Sequence, residues 1–296
     1  MEAIIVIVGF LGSGKTTLLK KIVQNYIKIK WNPFVILNDY ENANLDAQYF
    51  LQYLNPKEIN ALSGSCICCS GINELRDQVN RVLPRDKGIT LIEANGTTDA
   101  VSLMGFLGVG MEKHFLPPVQ IAVVDVRNWQ RRGHNNELEA NQIQVSSVII
   151  LNFVDQVSIE RVVQVEQDLR EINKKAIICH WDKFDMYSLS ELIPVDNETQ
   201  KMEHVKSHWS SCSVDLPDPI NSERLSRIID NIPAEVLRVK GCTRVDENEY
   251  YSHFERTPSG EVFVRPYNST PITGPKVLTI GPGSDPEKLK SIINNS

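Results

Sequence analysis

The stretch that decides the fold is Gly9–Thr16, which reads GFLGSGKT and directly follows the apolar run Ala3–Val8. Its glycines allow backbone N–H groups to curl around a phosphate group without clashes from Cβ atoms. Apolar residues then recur with helical spacing over Thr16–Tyr26, so the start of a helix would point at the bound anion. A strand, this loop and a helix in that order predict a P-loop that binds a nucleoside triphosphate.

Two side chains of the loop have predicted roles at the phosphates. Lys15 would reach the β- and γ-phosphates, and the hydroxyl of Thr16 would be a ligand of Mg²⁺. The residues of this segment that we expect to contact the nucleotide are Gly9, Gly12, Ser13, Gly14, Lys15, Thr16 and Thr17.

An acidic residue at the end of a neighbouring strand is expected to hold Mg²⁺ or its water. Glu93 follows the apolar run Thr90–Ile92, and Asp125 follows Ile121–Val124. We favour Glu93, because Gly96 shortly after it would let the backbone approach the γ-phosphate. The other possibility for either residue is a carboxylate that only caps a turn.

Short apolar runs alternate with helix-like stretches after the loop. The further predicted strands are Phe34–Leu37, Thr90–Ile92, Gln120–Val124, Val148–Leu151 and Ala176–Cys179. Helix-like stretches such as Ile72–Val82 and Ile159–Ile172 separate several of them. This alternation predicts βαβ units, and hence an α/β domain with a mainly parallel sheet.

The polar stretch Pro194–His208 predicts a linker, so we place a P-loop domain at residues 1–200 and a second domain at residues 205–296. The strands predicted beyond the linker are Ser210–Val214, Glu235–Val239, Tyr250–Arg256, Glu261–Arg265 and Lys276–Ile280. The predicted helices there are Ser222–Ile232 and Pro286–Ile293. This part of the chain therefore predicts a small α+β domain.

Composition narrows the class of protein. The chain has 296 residues and a formal net charge of −6, which argues against a broad surface for nucleic acid or anionic membrane. No apolar run approaches the roughly 20 residues of a membrane span, and Met1–Val8 is too short for a signal peptide. Three of the six cysteines crowd into four positions, which indicates a reduced protein rather than a disulfide framework. We therefore expect a cytoplasmic protein without nucleic-acid or membrane partners, and the sequence leaves open whether it is a monomer or a homodimer.

The crowded cysteines form the segment Cys66-Ile67-Cys68-Cys69, which lies between Gly64 and Gly71. Thiolates bind borderline divalent ions such as Zn²⁺, and closely spaced cysteines can supply two or three ligands. The pattern alone is not specific, and a redox pair or small buried residues remain alternatives.

Taken together, the loop, Glu93-x-x-Gly96 and Cys66-x-Cys68-Cys69 resemble one family, the CobW-type GTPases. These proteins are metal-handling relatives of the nickel-insertion GTPases that serve urease and hydrogenase. Further segments are similar to the family pattern, namely Asn38–Glu41, Gln142-Ile143, Val148–Asn152, Leu237–Gly241 and Leu278–Pro282.

The resemblance implies a metallochaperone or insertase that couples GTP binding and hydrolysis to metal binding. Its metal ligands would be Cys66, Cys68 and Cys69, and Glu93 would sense the γ-phosphate. The implied cofactors are GTP/GDP, Mg²⁺ and Zn²⁺ or another divalent transition metal. The implied partner is a client metalloprotein, with the C-terminal domain as the place of its recognition.

The base-binding end departs from the family pattern, because the guanine motif Asn-Lys-x-Asp stands here as Asn152-Phe153-Val154-Asp155. Asn152 is retained, and Asp155 can still accept hydrogen bonds from guanine N1–H and the 2-amino group. Phe153 replaces the lysine that lies along the base. GTP is the expected nucleotide, with ATP or relaxed specificity as the alternative. His180 and Trp181 would stack on the base or serve in packing.

The segment after the second predicted strand also departs from the pattern. The family's Asn-Glu is Asn38-Asp39 here, and Glu41 replaces a glycine. Asp39 would complete the metal site, although Glu41 or a water could take its place, and surface charges are the alternative. Where many relatives have a histidine-rich stretch, the linker contains only His204 and His208, which we interpret as solvated.

Two other functions remain open from the sequence. The altered motifs at Asn38–Glu41 and Phe153 are compatible with a nucleotide-dependent binding module with little or no hydrolysis. An ATP-preferring P-loop enzyme with a structural cysteine loop is the second alternative.

Overall fold

A computed structural model describes most of the chain. The described residues are 1–38, 43–62, 71–194, 211–246, 248–257, 260–267, 270–271, 274–281 and 283–296. They divide into two compact units, Met1–Asp39 with Phe50–His208, and Tyr40–Tyr49 with Trp209–Ser296. Most of the predicted linker, residues 195–208, lies outside the described residues.

The first unit is built on a seven-stranded sheet. Its strands are β1 (Ala3–Val8), β2 (Asn32–Asn38), β3 (Ile59–Leu62), β4 (Gly88–Glu93), β5 (Val119–Asp125), β6 (Val148–Asn152) and β7 (Ile177–His180). They lie in the order β3-β2-β4-β1-β5-β6-β7, and every strand pair in the described sheet is parallel. The prediction of an α/β fold with a mainly parallel sheet is confirmed.

Helices accompany these strands in sequence. They are α1 (Lys15–Lys28), α2 (Ala43–Phe50), α3 (Gly71–Asn80), α4 (Ala100–Leu107), α5 (Asn136–Gln144) and α6 (Ile159–Ile172). Every residue of β1, β4 and β5 is buried, as expected for strands of a parallel sheet that is covered on both faces. Helix α1 buries the apolar positions that predicted it, Leu18, Leu19, Ile22 and Val23, and it also buries Tyr26.

The second unit contains a five-stranded sheet. Its strands are β8 (Ser211–Asp215), β9 (Arg238–Arg244), β10 (Tyr251–Arg256), β11 (Val262–Tyr267) and β12 (Lys276–Ile280). They lie in the order β11-β10-β9-β12-β8 with antiparallel pairing, and helices α7 (Ser222–Asn231) and α8 (Pro286–Asn295) belong to the same unit. The predicted small α+β domain is confirmed.

The two faces of this second sheet differ in chemistry. One face packs Val239, Phe254 and Val277 into a core with apolar residues of α7 and α8. On the other face, Arg238 binds Glu255 at 2.9 Å, and the buried ammonium of Lys240 binds Asp46 of α2 at 2.8 Å. Helix α2, except for its last residue Phe50, belongs to the second unit, although its sequence lies between two strands of the first.

Several elements differ from the sequence-based predictions. The short elements α2, α4, α5 and β3 were not predicted, because each has weak periodicity or few residues. The predicted strand Glu235–Val239 was wrong in its bounds, since β9 runs from Arg238 to Arg244. Its charged residues and Gly241 hide the strand pattern, and Gly241 is required because a Cβ there would lie 2.1 Å from the ring of Phe254.

The domain boundary at 1–200 and 205–296 stays a prediction. No helix in the described part of the chain is both long and apolar enough to cross a membrane.

The buried charges of the second unit predict a dependence of stability on pH. Burial is the largest cause that lowers the pKa of His253 to about 4; the charges of Lys240 and Arg238 act in the same direction, and those of Asp46 and Glu255 oppose them. The unfolded chain takes up this proton near pH 6.5, but the folded chain does so only near pH 4. As the pH falls from 6.5 to 4, the free energy of unfolding should therefore fall by about 2.5 kcal/mol because of His253.

His253→Gln should remove this share of the pH dependence in urea unfolding of the full chain. The exposed His134→Gln is the matched control, and it should keep the slope of the wild type. An unchanged slope in His253→Gln would contradict the assignment.

Candidate nucleotide site

The loop between β1 and α1 has the tight backbone that the glycines predict. Gly9 and Gly14 have φ values of 143° and 107°, in the region that favours glycine. A Cβ on Gly9 would lie 2.3 Å from the carbonyl of Val123, and one on Gly14 would lie 2.5 Å from Nδ2 of Asn152. The loop is therefore held closely against the ends of β5 and β6.

Lys15 begins α1 and is buried within the loop. Its ammonium donates to the carbonyl oxygens of Gly9, at 2.8 Å, and Phe10, at 3.3 Å. Ser13 is also buried, and its hydroxyl has no hydrogen-bond partner among the described residues. These two side chains place a cation and a free donor inside the glycine loop.

Thr16 and Glu93 meet beside the loop. The hydroxyl of Thr16, in the first turn of α1, donates to Oε1 of Glu93 at 2.6 Å. Glu93 ends β4, which pairs with β1 so that Glu93 lies opposite Ile7. The parallel register thus brings the last residue of β4 to the start of α1, although the two residues are distant in sequence.

Asp125, the other candidate acid, has a different environment. It ends β5, and its carboxylate accepts hydrogen bonds from the backbone and guanidinium of Arg127 and from the side chain of Asn128. Asp125 therefore stabilises the turn after β5, which is the capping role left open for it.

Gly96 lies in the buried segment that follows Glu93. A Cβ on Gly96 would lie 2.4 Å from the side chain and 2.8 Å from the backbone nitrogen of Leu11 in the P-loop. Gln142 of α5 donates to the carbonyl oxygens of Gly96 and Thr98, at 3.1 and 3.2 Å. The segment is thus held between the P-loop and an unpredicted helix.

The P-loop is also supported through Phe10. The guanidinium of Arg132 lies 4.3 Å from the centre of the Phe10 ring and binds Glu139 at 3.0 Å. Burial raises the pKa of Glu139, and the charge of Arg132 opposes that rise. No sequence motif indicated Arg132, because its contact with Phe10 joins two loops that are distant in the chain and that only the fold brings together.

The predicted base-binding residues follow β6. Nδ2 of Asn152 donates to the carbonyl oxygen of Ser13 at 2.9 Å, which ties the base motif to the P-loop. Asp155 is exposed, in a short 3₁₀ turn. Phe153 has a φ of 62°, and the guanidinium of Arg127 covers its ring at 3.7 Å. The sequence did not predict that an arginine would lie on the phenylalanine that replaces the motif's lysine.

Trp181 and His180 lie at the end of β7. Trp181 lies beneath the ammonium of Lys21, 4.8 Å from the ring centre, and its ring is near Gly14. His180 contacts Glu166 at 3.2 Å, which supports the packing interpretation for the histidine. Trp181 and Asn152 therefore lie on the same side of the P-loop, near Gly14.

Two predicted nucleotide contacts remain. Gly12 lies in the same loop, and Thr17 lies in the first turn of α1, where it is exposed.

The predicted metal ligands Asp39, Cys66, Cys68 and Cys69 lie outside the described residues, as do Glu41, His204 and His208. Among the residues that the structure describes, no group of three or more His, Cys, Asp and Glu side chains could hold a metal ion.

Three cysteines are described, and all are free thiols. Cys212 and Cys242 are buried in the second unit, and burial raises the pKa of Cys242 to about 12. Burial also raises the pKa of Cys179, at the end of the first sheet, to about 11. A raised pKa disfavours the thiolate, so Cys179 and Cys242 are poor metal ligands.

Comparison with known proteins places this site in a family. The nucleotide-binding domain model of CobW/HypB/UreG matches residues 3–180. The zinc-regulated GTPase metalloprotein activator 1 of Dictyostelium discoideum is 26% identical over 293 residues, which cover 80% of this chain and 61% of the relative. The chain therefore spans less than two thirds of that relative's length.

A bacterial relative is covered more completely. The zinc chaperone YjiA of Escherichia coli (strain K12) is 26% identical over 269 residues, which cover 82% of each chain. The crystal structure of Zn(II)-bound YjiA GTPase from E. coli aligns with 99% of this chain and 98% of that one, at 17% identity and a TM-score of 0.43. Because the family model matches more than half of the chain, this protein belongs to the CobW/HypB/UreG family.

Proposed function

We propose that this chain is a GTP-binding and GTP-hydrolysing metallochaperone, which delivers zinc or a similar divalent metal to a client protein. The observation that carries the proposal is the contact of Thr16 with Glu93 at 2.6 Å, beside a glycine loop that encloses Lys15. The names of the relatives, a zinc chaperone and a zinc-regulated GTPase, support both the nucleotide and the metal.

The phosphate end would work by positioning and electrostatics. Lys15 would exchange its carbonyl partners in the loop for the β- and γ-phosphates, and the hydroxyl of Ser13 would donate to the same anion. Both are pre-positioned, so little ordering is needed on binding.

Thr16 and Glu93 fit a Mg²⁺ site, because a hydroxyl and a carboxylate oxygen lie together where a hard cation requires oxygen ligands. When bound, the ion would neutralise charge on the phosphates. Glu93 would in addition hold the attacking water or the ion's water shell, and Gly96 would bring the backbone near the γ-phosphate.

Lys15→Ala should weaken nucleotide binding by about 10- to 100-fold, since it removes a charged hydrogen-bond donor. Glu93→Gln keeps the size of the side chain, and we expect GTP turnover to fall about 100-fold while GTP affinity changes only a few-fold. Both effects can be measured by phosphate release and by binding of a fluorescent GTP analogue.

Asp125→Asn is the matched control, because its carboxylate binds Arg127 and Asn128 instead of Thr16. A larger loss of turnover in Asp125→Asn than in Glu93→Gln would reverse our assignment of the two acids.

At the base end, Asp155 would accept hydrogen bonds from guanine N1–H and the 2-amino group, and Asn152 would hold this motif against the P-loop. The ring of Phe153 and the guanidinium of Arg127 form a stacked pair where the family pattern has lysine. This pair favours the alternative of relaxed specificity, in which ATP also binds, because stacking does not distinguish one base from another.

The specificity of the site can be tested through Asp155→Asn. We expect the affinity for GTP to fall about 10- to 100-fold and that for ATP to stay within a few-fold, because only guanine donates to this carboxylate. Asp86→Asn, an exposed change before β4, is the control and should leave both affinities unchanged. If ATP competes with GTP equally well on the wild type, the chain is an ATP-binding or relaxed enzyme instead.

We propose that the metal binds at Cys66, Cys68 and Cys69, with Asp39 as a further ligand. The register of the first sheet supports a link between this site and the nucleotide, since Leu37 of β2 lies opposite Glu93 of β4. Asp39 follows Leu37 by only two residues. A change at Glu93 on loss of the γ-phosphate would therefore act on the strand that leads to Asp39.

Zinc titration of the full chain with GDP and with a non-hydrolysable GTP analogue tests this proposal. We expect affinities that differ between the two nucleotides, and a loss of at least about tenfold in Cys66→Ser. Cys179→Ser is the matched control, because its thiol is disfavoured as a ligand by its raised pKa. Equal zinc affinity in both nucleotide states would contradict the coupling.

The cysteine usage supports a reducing, cytoplasmic location, since the described cysteines are free thiols.

We place recognition of the client protein in the second unit. The alternative of a nucleotide-dependent binding module with little or no hydrolysis would be supported by GTP turnover that Lys15→Ala leaves unchanged.

A further inference from the structure

Strand β11 has an exposed edge in the second unit. Among the described strands it pairs with β10 only, on one side. Val262, Phe263 and Val264 are exposed by 45%, 39% and 53%, an apolar run at the place where soluble proteins usually avoid one. An edge of this kind can accept a further strand through its unpaired backbone groups.

The hairpin between β10 and β11 fixes which backbone groups face outwards. The N–H of Thr257 donates to the carbonyl of Glu261 at 2.9 Å, so Glu261 points its backbone groups towards β10. The direction of the backbone N–H and C=O groups alternates along an antiparallel strand. Those of Phe263 and Arg265 therefore also point towards β10, whereas those of Val262 and Val264 point away from it.

The position of Pro266 agrees with this alternation of backbone groups along β11. It lies two residues beyond Val264, so its missing N–H falls on the outer side, where no bond to β10 is lost. The free edge therefore offers complete N–H and C=O pairs at Val262 and Val264, and Pro266 limits it at one end.

We propose that β11 pairs with β11 of a second copy of this chain, antiparallel about an axis at Phe263, to form a continuous sheet across a homodimer. In this register Val262 lies opposite Val264 of the second copy. Both are outward-facing residues, so each N–H meets a carbonyl on either side of the axis.

The side chains complement one another in the same register. Glu261 lies opposite Arg265 of the second copy, and Arg265 lies opposite Glu261 of the second copy. The two Phe263 rings meet at the axis, where each chain's own Arg265 already lies 5.4 Å from its Phe263 ring. Opposite charges, aromatic rings and β-branched residues are all favourable cross-strand pairs.

The neighbouring register fits less well. Pairing about Val264 would set Arg265 opposite Phe263 and would place the carbonyl of Val262 opposite Pro266, which has no N–H. The charge pattern of Glu261 and Arg265 therefore selects a second copy of this chain as the occupant of the edge, in one register.

A single strand pair buries little surface, so the dimer should be weak, with a dissociation constant of roughly micromolar or higher. Sedimentation velocity of the full chain over a hundredfold range of concentration would measure it. EDTA should be present, so that metal ions cannot join copies through cysteines. A wild-type chain that remains monomeric over the whole range overturns the proposal.

Charge exchange tests the register. Glu261→Arg sets arginine against Arg265 of the second copy, and Arg265→Glu sets glutamate against Glu261, so each variant alone should dimerise at least about tenfold more weakly. An equimolar mixture of the two variants restores opposite charges at both positions, and it should form a heterodimer. Single variants that associate like the wild type, or a mixture that stays monomeric, overturn the proposal.

Val264→Pro tests the backbone pairing separately. It removes an N–H that points away from β10, so we expect a folded chain whose dimer is at least about tenfold weaker. Val264→Thr keeps the N–H and the branched side chain, and its dimer should stay within about threefold of the wild type. Circular dichroism would show that each variant folds. If Val264→Pro dimerises as strongly as the wild type, the edge is not the interface.

Discussion

The proposed phosphate site depends on the hydrogen bond from Thr16 to Glu93, which joins the first turn of α1 to the end of β4. The bond forms because β4 lies beside β1 in a parallel sheet, so that the carboxyl end of one strand reaches the loop that follows the other. Ligands of open parallel sheets bind at this edge for the same reason. The strand order thus places a carboxylate beside a glycine loop, and the roles that we propose at the phosphates follow from this placement.

The phosphate end of the candidate nucleotide site is held by more contacts than the base end. At the phosphate end, the loop contacts β5 at Gly9, the segment after β4 at Leu11 and a buried arginine at Phe10. Such contacts on several sides hold donors in place before a ligand arrives. At the base end, Asp155 is exposed and Phe153 is covered by an arginine from another turn. The roles proposed at the phosphates therefore rest on more contacts within the fold than the roles proposed at the base.

The second unit shows why a strand can escape prediction. Strand β10 was predicted, and its Phe254 packs into the apolar core. Its neighbour β9 carries Arg238 and Lys240 on the opposite face, where Glu255 and Asp46 neutralise them. Burial of charged residues is favourable only when partners are present, and partners from distant parts of the chain leave no local pattern in the sequence.

The sequence by itself determined the P-loop, the parallel sheet and the cysteine motif, because each rests on residues close together in the chain. It also named Glu93 as the preferred acid, but it left Asp125 open. Only the tertiary structure gave the two acids different partners, Thr16 for Glu93 and Arg127 for Asp125. Likewise, only the fold placed Arg127 on Phe153 and turned one edge of β11 outwards. Local spacing fixes which backbone a segment can form, whereas the partner of a side chain depends on which strands become neighbours.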